Sequence, residues 1–397
     1  MQNNIFIQAY AMCNVLGNSK AEIWRNLQQQ NLRLAKNSDY LPNAEVWLGH
    51  IEAELPPIPE ELQLYDCRNN QVLAFCLQQL NPEIQSLIER FGRERIAIVM
   101  GTSTAGIEQG ESYIQAAQQH KAHPNYHYRA QELGSISQFA ANYLDIHGPN
   151  LTISTACSSS ARVFITAERL LNSQVVDAVI VGGVDTLCHL TINGFHSLAS
   201  ISFTPNTPFS ETRKGINIGE AGAVFVLSKE PAVLQLAATG ESSDAHHISA
   251  PHPEGVGAAS AMQQALNKAG LQPQDIGYLN LHGTGTPLND SMESLAVAAV
   301  FGRVPCSSTK QLTGHTLGAA GATELGLACL LLEHFADQSA VLPLQTTEPD
   351  CLDPSLPPIG LITSHQRLQK AAVMSNSFAF GGNNTSLIVK RYQQAGD

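Results

Sequence analysis

The stretch RIAIVMGTSTAG, residues 95–106, is an apolar run rich in branched side chains that ends in Gly-Thr. A near-continuous apolar run of this length predicts a strand buried on both faces. The pattern returns as IGYLNLHGTGTP at residues 276–287. A second pair of runs, VVDAVIVGG at residues 175–183 and AAVMSNSFAFGG at residues 371–382, ends each time in Gly-Gly. This repetition predicts a duplicated unit, with chance similarity between buried strands as the alternative.

Between the paired strands, each half carries a turn rich in Ser and Thr that is followed by a helical apolar pattern. STACSSSARVFITAERLL covers residues 154–171, and SSTKQLTGHTLGAAGATELGLACLL covers residues 307–331. Strands that alternate with helices predict an α/β fold. Long helices are predicted at residues 71–91, 155–173, 256–270, 290–301 and 317–336.

Composition limits the class of protein. The chain has 397 residues, 43% of them hydrophobic, which is enough for one large core or two fused ones. Its longest apolar runs are shorter than the roughly 20 residues of a membrane-spanning helix, and its start does not resemble a signal peptide. Eight cysteines without a CxxC pair predict free thiols, and a net charge of −12 argues against nucleic-acid binding. These features together predict a cytoplasmic protein.

Four residues at predicted strand ends carry chemically useful side chains. Cys157 stands at the apparent start of an apolar helix, where unpaired N–H groups favour a thiolate and lower the thiol pKa. The alternative is a packing role, which is commoner for a lone buried cysteine. His282 lies in NLHGTGTP, which lacks the Lys-Ser/Thr of a phosphate-binding loop, and His315 follows Lys310 by five residues. Because active sites of α/β proteins gather at the carboxyl ends of strands, we expect these turns to converge.

Several motifs resemble one enzyme family in their order and spacing. STACSSS, NLHGTGTPLND, SSTKQLTGHTLGAAGATE and SNSFAFGGNN are similar to motifs of the elongating β-ketoacyl-acyl carrier protein synthases. PFSETRKGINIGEAGAVFVL resembles a further segment of that family, so the resemblance covers nearly the whole chain. It implies a thiolase-like duplicated α/β fold with five layers, αβαβα. The implied halves are residues 1–229, with the nucleophile, and residues 230–397, with the histidine and lysine motifs.

The resemblance implies a decarboxylative Claisen condensation. Cys157 matches the nucleophile that takes an acyl chain from a carrier protein as a thioester. His282 and His315 match the paired histidines that assist decarboxylation of malonyl-carrier protein and stabilise the enolate. The product would be a β-ketoacyl-carrier protein, formed during fatty-acid, polyketide or polyene elongation.

The same resemblance implies supporting residues. Lys310 and Glu324 match groups behind the second histidine, and the backbone N–H groups of Cys157 and Phe380 match an oxyanion hole. The implied substrate-binding positions are Thr104, Ile216, Thr284, Thr286, Phe378 and Phe380. Ala379 stands where the family usually has glycine, and Ile216 stands where phenylalanine is common. These departures favour a specialised synthase, with fatty-acid and aryl-polyene elongation both open.

The implied partners are an acyl carrier protein and either a second copy of the chain or a homologous chain-length factor. The resemblance implies no cofactor and no metal. Carrier proteins are acidic, so a basic docking patch is expected in spite of the acidic total charge. Arg68 and Lys121 are the candidates, with ordinary surface charge as the alternative for each.

Two rival functions remain open. A thiolase-type acyltransferase would normally carry a second catalytic cysteine in a late motif, whereas SFAFGG has none. A chain-length-determining subunit would lack the nucleophile, whereas Cys157, His282 and His315 are all present. Both observations favour the condensing enzyme.

Overall fold

Thirteen strands and eleven helices make up the part of the chain that the computed structural model describes, which is residues 4–122, 126–346 and 348–392. The strands are β1 Ile5–Asn14, β2 Ala35–Leu41, β3 Ala44–Gly49, β4 Ile96–Gly101, β5 Asn150–Ile153, β6 Ala178–Asp185, β7 Ile218–Gly219, β8 Ala221–Ser228, β9 Leu234–Ser243, β10 Tyr278–Asn280, β11 Cys306–Ser307, β12 Ala372–Phe378 and β13 Asn383–Arg391. The helices are α1 Lys20–Gln29, α2 Arg68–Gln79, α3 Asn81–Phe91, α4 Ile107–Gln118, α5 Ser135–Leu144, α6 Ser159–Asn172, α7 His189–Ser197, α8 Val256–Ala269, α9 Pro287–Phe301, α10 Lys310–Thr313 and α11 Ala320–Glu333.

Ten strands form one sheet whose two halves have the same topology. The order is β11-β10-β12-β13-β9-β1-β8-β6-β4-β5, and β2, β3 and β7 form a separate small sheet. From each outer edge inward, the first two pairings are parallel and the next two are antiparallel. β4 and β10 occupy equivalent places, as do β6 and β12. The predicted duplication is therefore confirmed, because the paired sequence runs are the paired strands.

The helices complete five layers around this sheet. α6 and α11 pack against each other and lie between the two halves of the sheet. α2 and α5 cover the outer side of the first half, and α8, backed by α9, covers the outer side of the second. α11 is buried along its length up to Leu332, as expected of a helix with sheet on both sides. The α/β, thiolase-like prediction with αβαβα layers is confirmed.

One predicted helix was wrong in its extent. The segment 71–91 is two helices, because α2 ends at Gln79 and α3 begins at Asn81. Pro82 follows directly, and its ring nitrogen has no hydrogen to donate to the carbonyl of Gln78, which is what a continuous helix would require. Among the described residues, no helix is long and apolar enough to cross a bilayer.

The two central helices approach too closely for a larger residue at one position. A Cβ atom on Gly321 would lie 2.6 Å from the Cβ of Ala161 and 2.7 Å from its backbone nitrogen. A Cβ atom on Gly194, in α7, would meet nothing within 4 Å. The α6 and α11 contact therefore depends on glycine at 321.

We expect Gly321→Ala to destabilise the protein by about 1–3 kcal/mol, because α11 must move away from α6. The matched control, Gly194→Ala, should be neutral or stabilise by up to about 1 kcal/mol, since alanine favours helix. The measurement is the thermal midpoint of unfolding by scanning calorimetry. Equal midpoints for the two variants would contradict this account of the packing.

Candidate active site

The predicted turns meet at the carboxyl ends of strands from both halves. Cys157 lies between β5 and α6, and His282 follows β10 by two residues. Lys310 opens α10 just after β11, and His315 follows α10. Ala156, beside the cysteine, has a left-handed backbone with φ of 50°. Such strain outside glycine is typical of functional turns, where the surroundings hold the backbone in place.

Cys157 and the two histidines form one buried cluster. His315 Nε2 lies 3.1 Å from Cys157 Sγ. The rings of His282 and His315 are nearly perpendicular, with centroids 5.4 Å apart. One ligand-type atom from each of the three residues lies within 4.8 Å of the others. A cysteine from the first half and two histidines from the second can therefore act on one reacting group.

A buried ion pair stands behind the histidines. Lys310 Nζ contacts Glu324 and lies 3.4 Å from His282 Nδ1. An ammonium group can only donate, so His282 Nδ1 accepts and Nε2 carries the imidazole proton. The positive charge of Lys310 also disfavours a metal cation in the cluster of Cys157, His282 and His315, although these residue types can bind zinc.

Burial sets the protonation of the cluster. The pKa values of His282 and His315 are held well below the usual range, first by burial and then by the charge of Lys310. Burial also raises the pKa of Glu324 to about 7, against the lowering effect of Lys310. Both imidazoles are therefore neutral at physiological pH, which makes them hydrogen-bond partners rather than cations.

The predicted low thiol pKa was wrong. Burial raises the pKa of Cys157 to about 11, although Lys310 and the backbone N–H groups of Phe380 and Cys157 act to lower it. The helix start therefore does not outweigh the loss of solvation. The thiol is therefore protonated at physiological pH, with His315 Nε2 lying 3.1 Å from the sulfur.

A cavity of about 190 Å³ leads to the cluster. Its walls include Cys157, both histidines and a largely apolar set: Phe195, Ile216, Leu288, Phe378 and Phe380. The rings of Phe195 and Phe380 are 5.7 Å apart. Next to Phe380, Gly381 donates its N–H to the carbonyl of Ile248, 2.7 Å away. Walls of this kind favour an apolar ligand group over a charged one.

Two family models match adjacent parts of the chain. The β-ketoacyl synthase N-terminal domain matches residues 84–232, and the β-ketoacyl synthase C-terminal domain matches residues 233–337. Together they cover more than half of the chain. The chain belongs to the β-ketoacyl synthase family. The resemblance read from the motifs is thereby confirmed, whereas the division at residues 229 and 230 stays a prediction.

Other members of the family are similar over different lengths. The chain is 34% identical over 268 residues to a 3-oxoacyl-[acyl-carrier-protein] synthase 2 of Staphylococcus aureus, a match that covers 63% of each protein. It is 37% identical over 264 residues to the mitochondrial 3-oxoacyl-[acyl-carrier-protein] synthase of Arabidopsis thaliana, covering 61% of this chain and 56% of that one. The chain thus matches less than two thirds of the length of these relatives.

Two solved structures match along the whole chain. The ketosynthase ApeO of Xenorhabdus doucetiae, solved in complex with its chain length factor ApeC, is 49% identical with a TM-score of 0.95, and the match covers 98% of each chain. A β-ketoacyl synthase from Burkholderia phymatum is 25% identical with a TM-score of 0.86, over 99% of this chain and all of that one. The similarity to these two structures therefore extends over both halves of the chain.

Most of the predicted substrate positions line the cavity, but Thr104 does not. The ones on its walls are Ile216, Thr284, Thr286, Phe378 and Phe380. Thr104 is buried with 1% exposure and gives its hydroxyl to the carboxylate of Asp185, 3.0 Å away. Ala379 has an extended backbone with φ of −105°, so alanine replaces the family's glycine there without strain.

The two predicted docking residues differ in availability. Arg68 makes two hydrogen bonds to Glu220, of 3.0 and 2.5 Å, and a third to the carbonyl of Ile51. Its guanidinium is occupied by this internal ion pair. Arg68 therefore has no free charge to offer a carrier protein. Lys121, just beyond α4, is exposed.

Sequence reasoning missed four residues at the site. Glu293 accepts the backbone N–H groups of His282 and Gly283 at 2.8 and 2.7 Å, and so fixes that turn. Phe195 and Lys214 line the cavity, and Asp185, which ends β6, acts on Cys157 electrostatically. Only Asp185 had a usable signal, since an acid at the end of an otherwise apolar, buried strand is unusual.

We expect the rate of Cys157 alkylation by iodoacetamide to keep rising above about pH 9, because thiolate is scarce below the raised thiol pKa. Lys310→Gln should move the profile to higher pH, because its positive charge stabilises the thiolate. Lys268→Gln, which removes a lysine that bonds Glu168 away from the cavity, is the control and should not. Peptide mapping by mass spectrometry separates Cys157 from the other seven cysteines. A plateau below about pH 8 in the wild type would contradict the burial argument.

Proposed function

We propose that this protein is a decarboxylating β-ketoacyl synthase that holds an acyl chain on Cys157 and condenses it with malonyl-carrier protein. The observation that carries the proposal is the 3.1 Å approach of His315 Nε2 to Cys157 Sγ, with His282 in the same buried cluster. Covalent catalysis of this kind divides one condensation into an acyl transfer and a carbon–carbon bond formation.

In the first step Cys157 attacks the thioester of an acyl-carrier protein. The thiol proton leaves with the carrier thiol, and the acyl group stays on Sγ. The backbone N–H groups of Phe380 and Cys157 both act on the sulfur, and they are the donors available to the oxyanion of the tetrahedral intermediate. Because the site is buried, such donors stabilise developing charge more strongly than water would.

In the second step malonyl-carrier protein loses carbon dioxide to give an enolate. Neutral His282 donates Nε2–H to the thioester oxygen, where charge appears only as the reaction proceeds. The enolate carbon then attacks the acyl carbonyl on Cys157. The Cys157 thiolate leaves and takes a proton from solvent, which replaces the proton lost with the carrier thiol in the first step. Lys310 supports this step through His282. It helps to keep the His282 ring neutral, and it keeps the proton of that ring on Nε2.

The absence of a second cysteine in the cavity supports condensation over a thiolase reaction. Within the described residues, Cys157 is the only cysteine on the cavity wall. A thiolase needs a second thiol to move a proton at the substrate, whereas decarboxylation supplies the carbanion here without one.

We assign the reaction to the cytoplasm, because all eight cysteines are free thiols.

The aromatic walls support an extended, flat acyl chain as substrate. The tilted pair of Phe195 and Phe380 bounds the cavity, and Phe378 stands 6.2 Å from the ring of His282. Aromatic side chains gain energy from contact with conjugated or aryl groups beyond simple burial. We therefore favour aryl-polyene elongation over saturated fatty-acid elongation as the pathway.

The second partner we propose is another chain of the same fold. β5 is the end strand of the ten-stranded sheet, and its Leu151 is 42% exposed. Unpaired edge strands with apolar side chains readily pair with other chains. A second copy or a chain-length factor would meet this requirement equally.

We expect His282→Ala to lower the rate of condensation about 100- to 1000-fold, because the enolate loses a buried donor. Acyl transfer to Cys157 should persist in this variant, since the thiol and His315 remain. The measurement is mass spectrometry of the carrier-bound product after incubation with malonyl-carrier protein and a panel of saturated and aryl-capped acyl-carrier proteins. Equal loss of both steps would point to a structural role for His282.

We expect Lys214→Glu to raise KM for carrier-bound substrates about tenfold at low salt, with little change in kcat. Lys214 is the lysine on the cavity wall, and it is exposed. Its backbone is held on both sides, because Arg213 bonds Asp353 at 2.6 Å and Gly215 donates to Gly285 at 3.0 Å. The control is Arg303→Glu, an equal charge reversal on another surface. An equal effect of the two reversals would contradict docking at this mouth.

A further inference from the structure

A buried carboxylate that the condensation does not use acts electrostatically on Cys157. Asp185 is 1% exposed and ends β6. One of its oxygens accepts the Thr102 hydroxyl at 2.6 Å and the backbone N–H groups of Ser103 and Thr104 at 2.8 and 3.0 Å. The Thr104 hydroxyl bonds the same oxygen. This oxygen therefore fixes the turn that follows β4.

The other oxygen of Asp185 reaches the second half of the molecule. It accepts the backbone N–H of Gly318 at 2.6 Å and contacts the hydroxyl of Ser103. Gly318 lies three residues after His315, in a short 3-10 helix, Leu317–Ala319. One carboxylate thus joins the turns after β4 and β6 to the segment that carries His315.

The backbone next to the partners of this carboxylate is strained, and the carboxylate approaches Gly318 closely. Ala105 and Leu317, which flank its partners, have left-handed backbones with φ of 45° and 48°. A Cβ atom on Gly318 would lie 2.7 Å from the Asp185 oxygen, so glycine is required at this approach. Strained residues of this kind persist only where the surroundings hold them. The hydrogen bonds to Asp185 provide that restraint on both sides.

The ring of His315 needs such a restraint. A functional histidine is usually oriented by a hydrogen bond to its second ring nitrogen. In the described part of the chain, His315 Nδ1 is buried with no hydrogen-bond partner. Its main chain, in contrast, is held by Asn217 at 2.7 Å and by Gly219 at 3.0 Å. The direction of the ring toward Cys157 therefore depends on how the backbone is fixed.

We propose that Asp185 is a positioning residue, which holds His315 against Cys157 by bridging the two halves of the molecule. The inference rests on the proposed function, because the His315 and Cys157 contact is the one that the reaction uses. Asp185 is not among the residues that line the cavity. It acts through Gly318 on one side and through the turn after β4 on the other.

The negative charge of Asp185 also affects the pKa of Cys157. This effect would be absent if Asp185 only held the backbone in place. The charged and titratable groups that act on Cys157 are Lys310, which lowers its pKa, Asp185, which raises it, and the neutral rings of His282 and His315. Removing the negative charge of Asp185 should therefore lower the pKa of Cys157, the opposite of the effect of removing Lys310.

The test uses Asp185→Asn and Ser103→Ala in the full-length protein. The amide of Asp185→Asn cannot accept at both atoms, and Ser103→Ala removes a hydroxyl that contacts Asp185 and lies 3.3 Å from the Gly318 nitrogen. Glu168→Gln is the matched control, since Glu168 is a buried carboxylate that bonds Thr239 and Lys268 away from the cavity. Folding is checked by circular dichroism and thermal midpoint.

We expect Asp185→Asn to slow acyl transfer to Cys157 at least tenfold per folded molecule, as a fall in kcat with KM unchanged. Ser103→Ala should slow it severalfold, and Glu168→Gln not at all. The iodoacetamide profile of Cys157 should shift to lower pH in Asp185→Asn alone. If Asp185→Asn does not fold, Ser103→Ala decides the question through its acyl-transfer rate.

Unchanged acyl-transfer rates per folded molecule in both variants would overturn the proposal, as would an unmoved alkylation profile in a folded Asp185→Asn protein. The alkylation arm needs no carrier protein. A wild type that accepts no acyl-carrier protein would therefore contradict the condensing function, while the alkylation profile would still test Asp185.

Discussion

The contact between Cys157 Sγ and His315 Nε2 is the interaction on which the rest of the structure depends. The thiol comes from the turn after β5 in the first half, and the imidazole comes from the turn after α10 in the second. Neither half holds a complete site. The repeated strand order explains how the site is assembled, because equivalent carboxyl ends of strands face one another across α6 and α11. The duplicated fold therefore brings these two side chains, one from each half, into contact.

Burial gives this contact its chemical character. It keeps His282 and His315 neutral, and it keeps the Cys157 thiol protonated. Two charged groups have opposite effects on the pKa of this thiol: Lys310 lowers it and Asp185 raises it. A protonated thiol at Cys157 resists oxidation, because the thiolate is the reactive form. The donors that stabilise charge are then already in place when charge develops.

Sequence patterns predicted the duplication and the convergence of Cys157, His282, Lys310 and His315, because strand periodicity and the positions of turns are local properties of the chain. The five layers followed from the resemblance to a known family. Sequence reasoning did not predict the raised thiol pKa. Burial raises that pKa and the helix start lowers it, and only the packed structure shows which effect is larger. Sequence reasoning also missed the contacts of Asp185, whose partners lie more than 80 residues from it on one side and more than 130 on the other. Side-chain pairs of that separation have no local pattern.

The most direct measurement is the intact mass of the protein after exposure to acyl-carrier protein donors without any malonyl-carrier protein. The account predicts a mass increase equal to one acyl group, located on Cys157 by peptide mapping and lost in Cys157→Ala. It predicts this for a donor with an extended apolar chain, because the cavity walls are apolar and aromatic. No acylation of the wild type by any donor, or equal acylation of Cys157→Ala, would contradict the central claim.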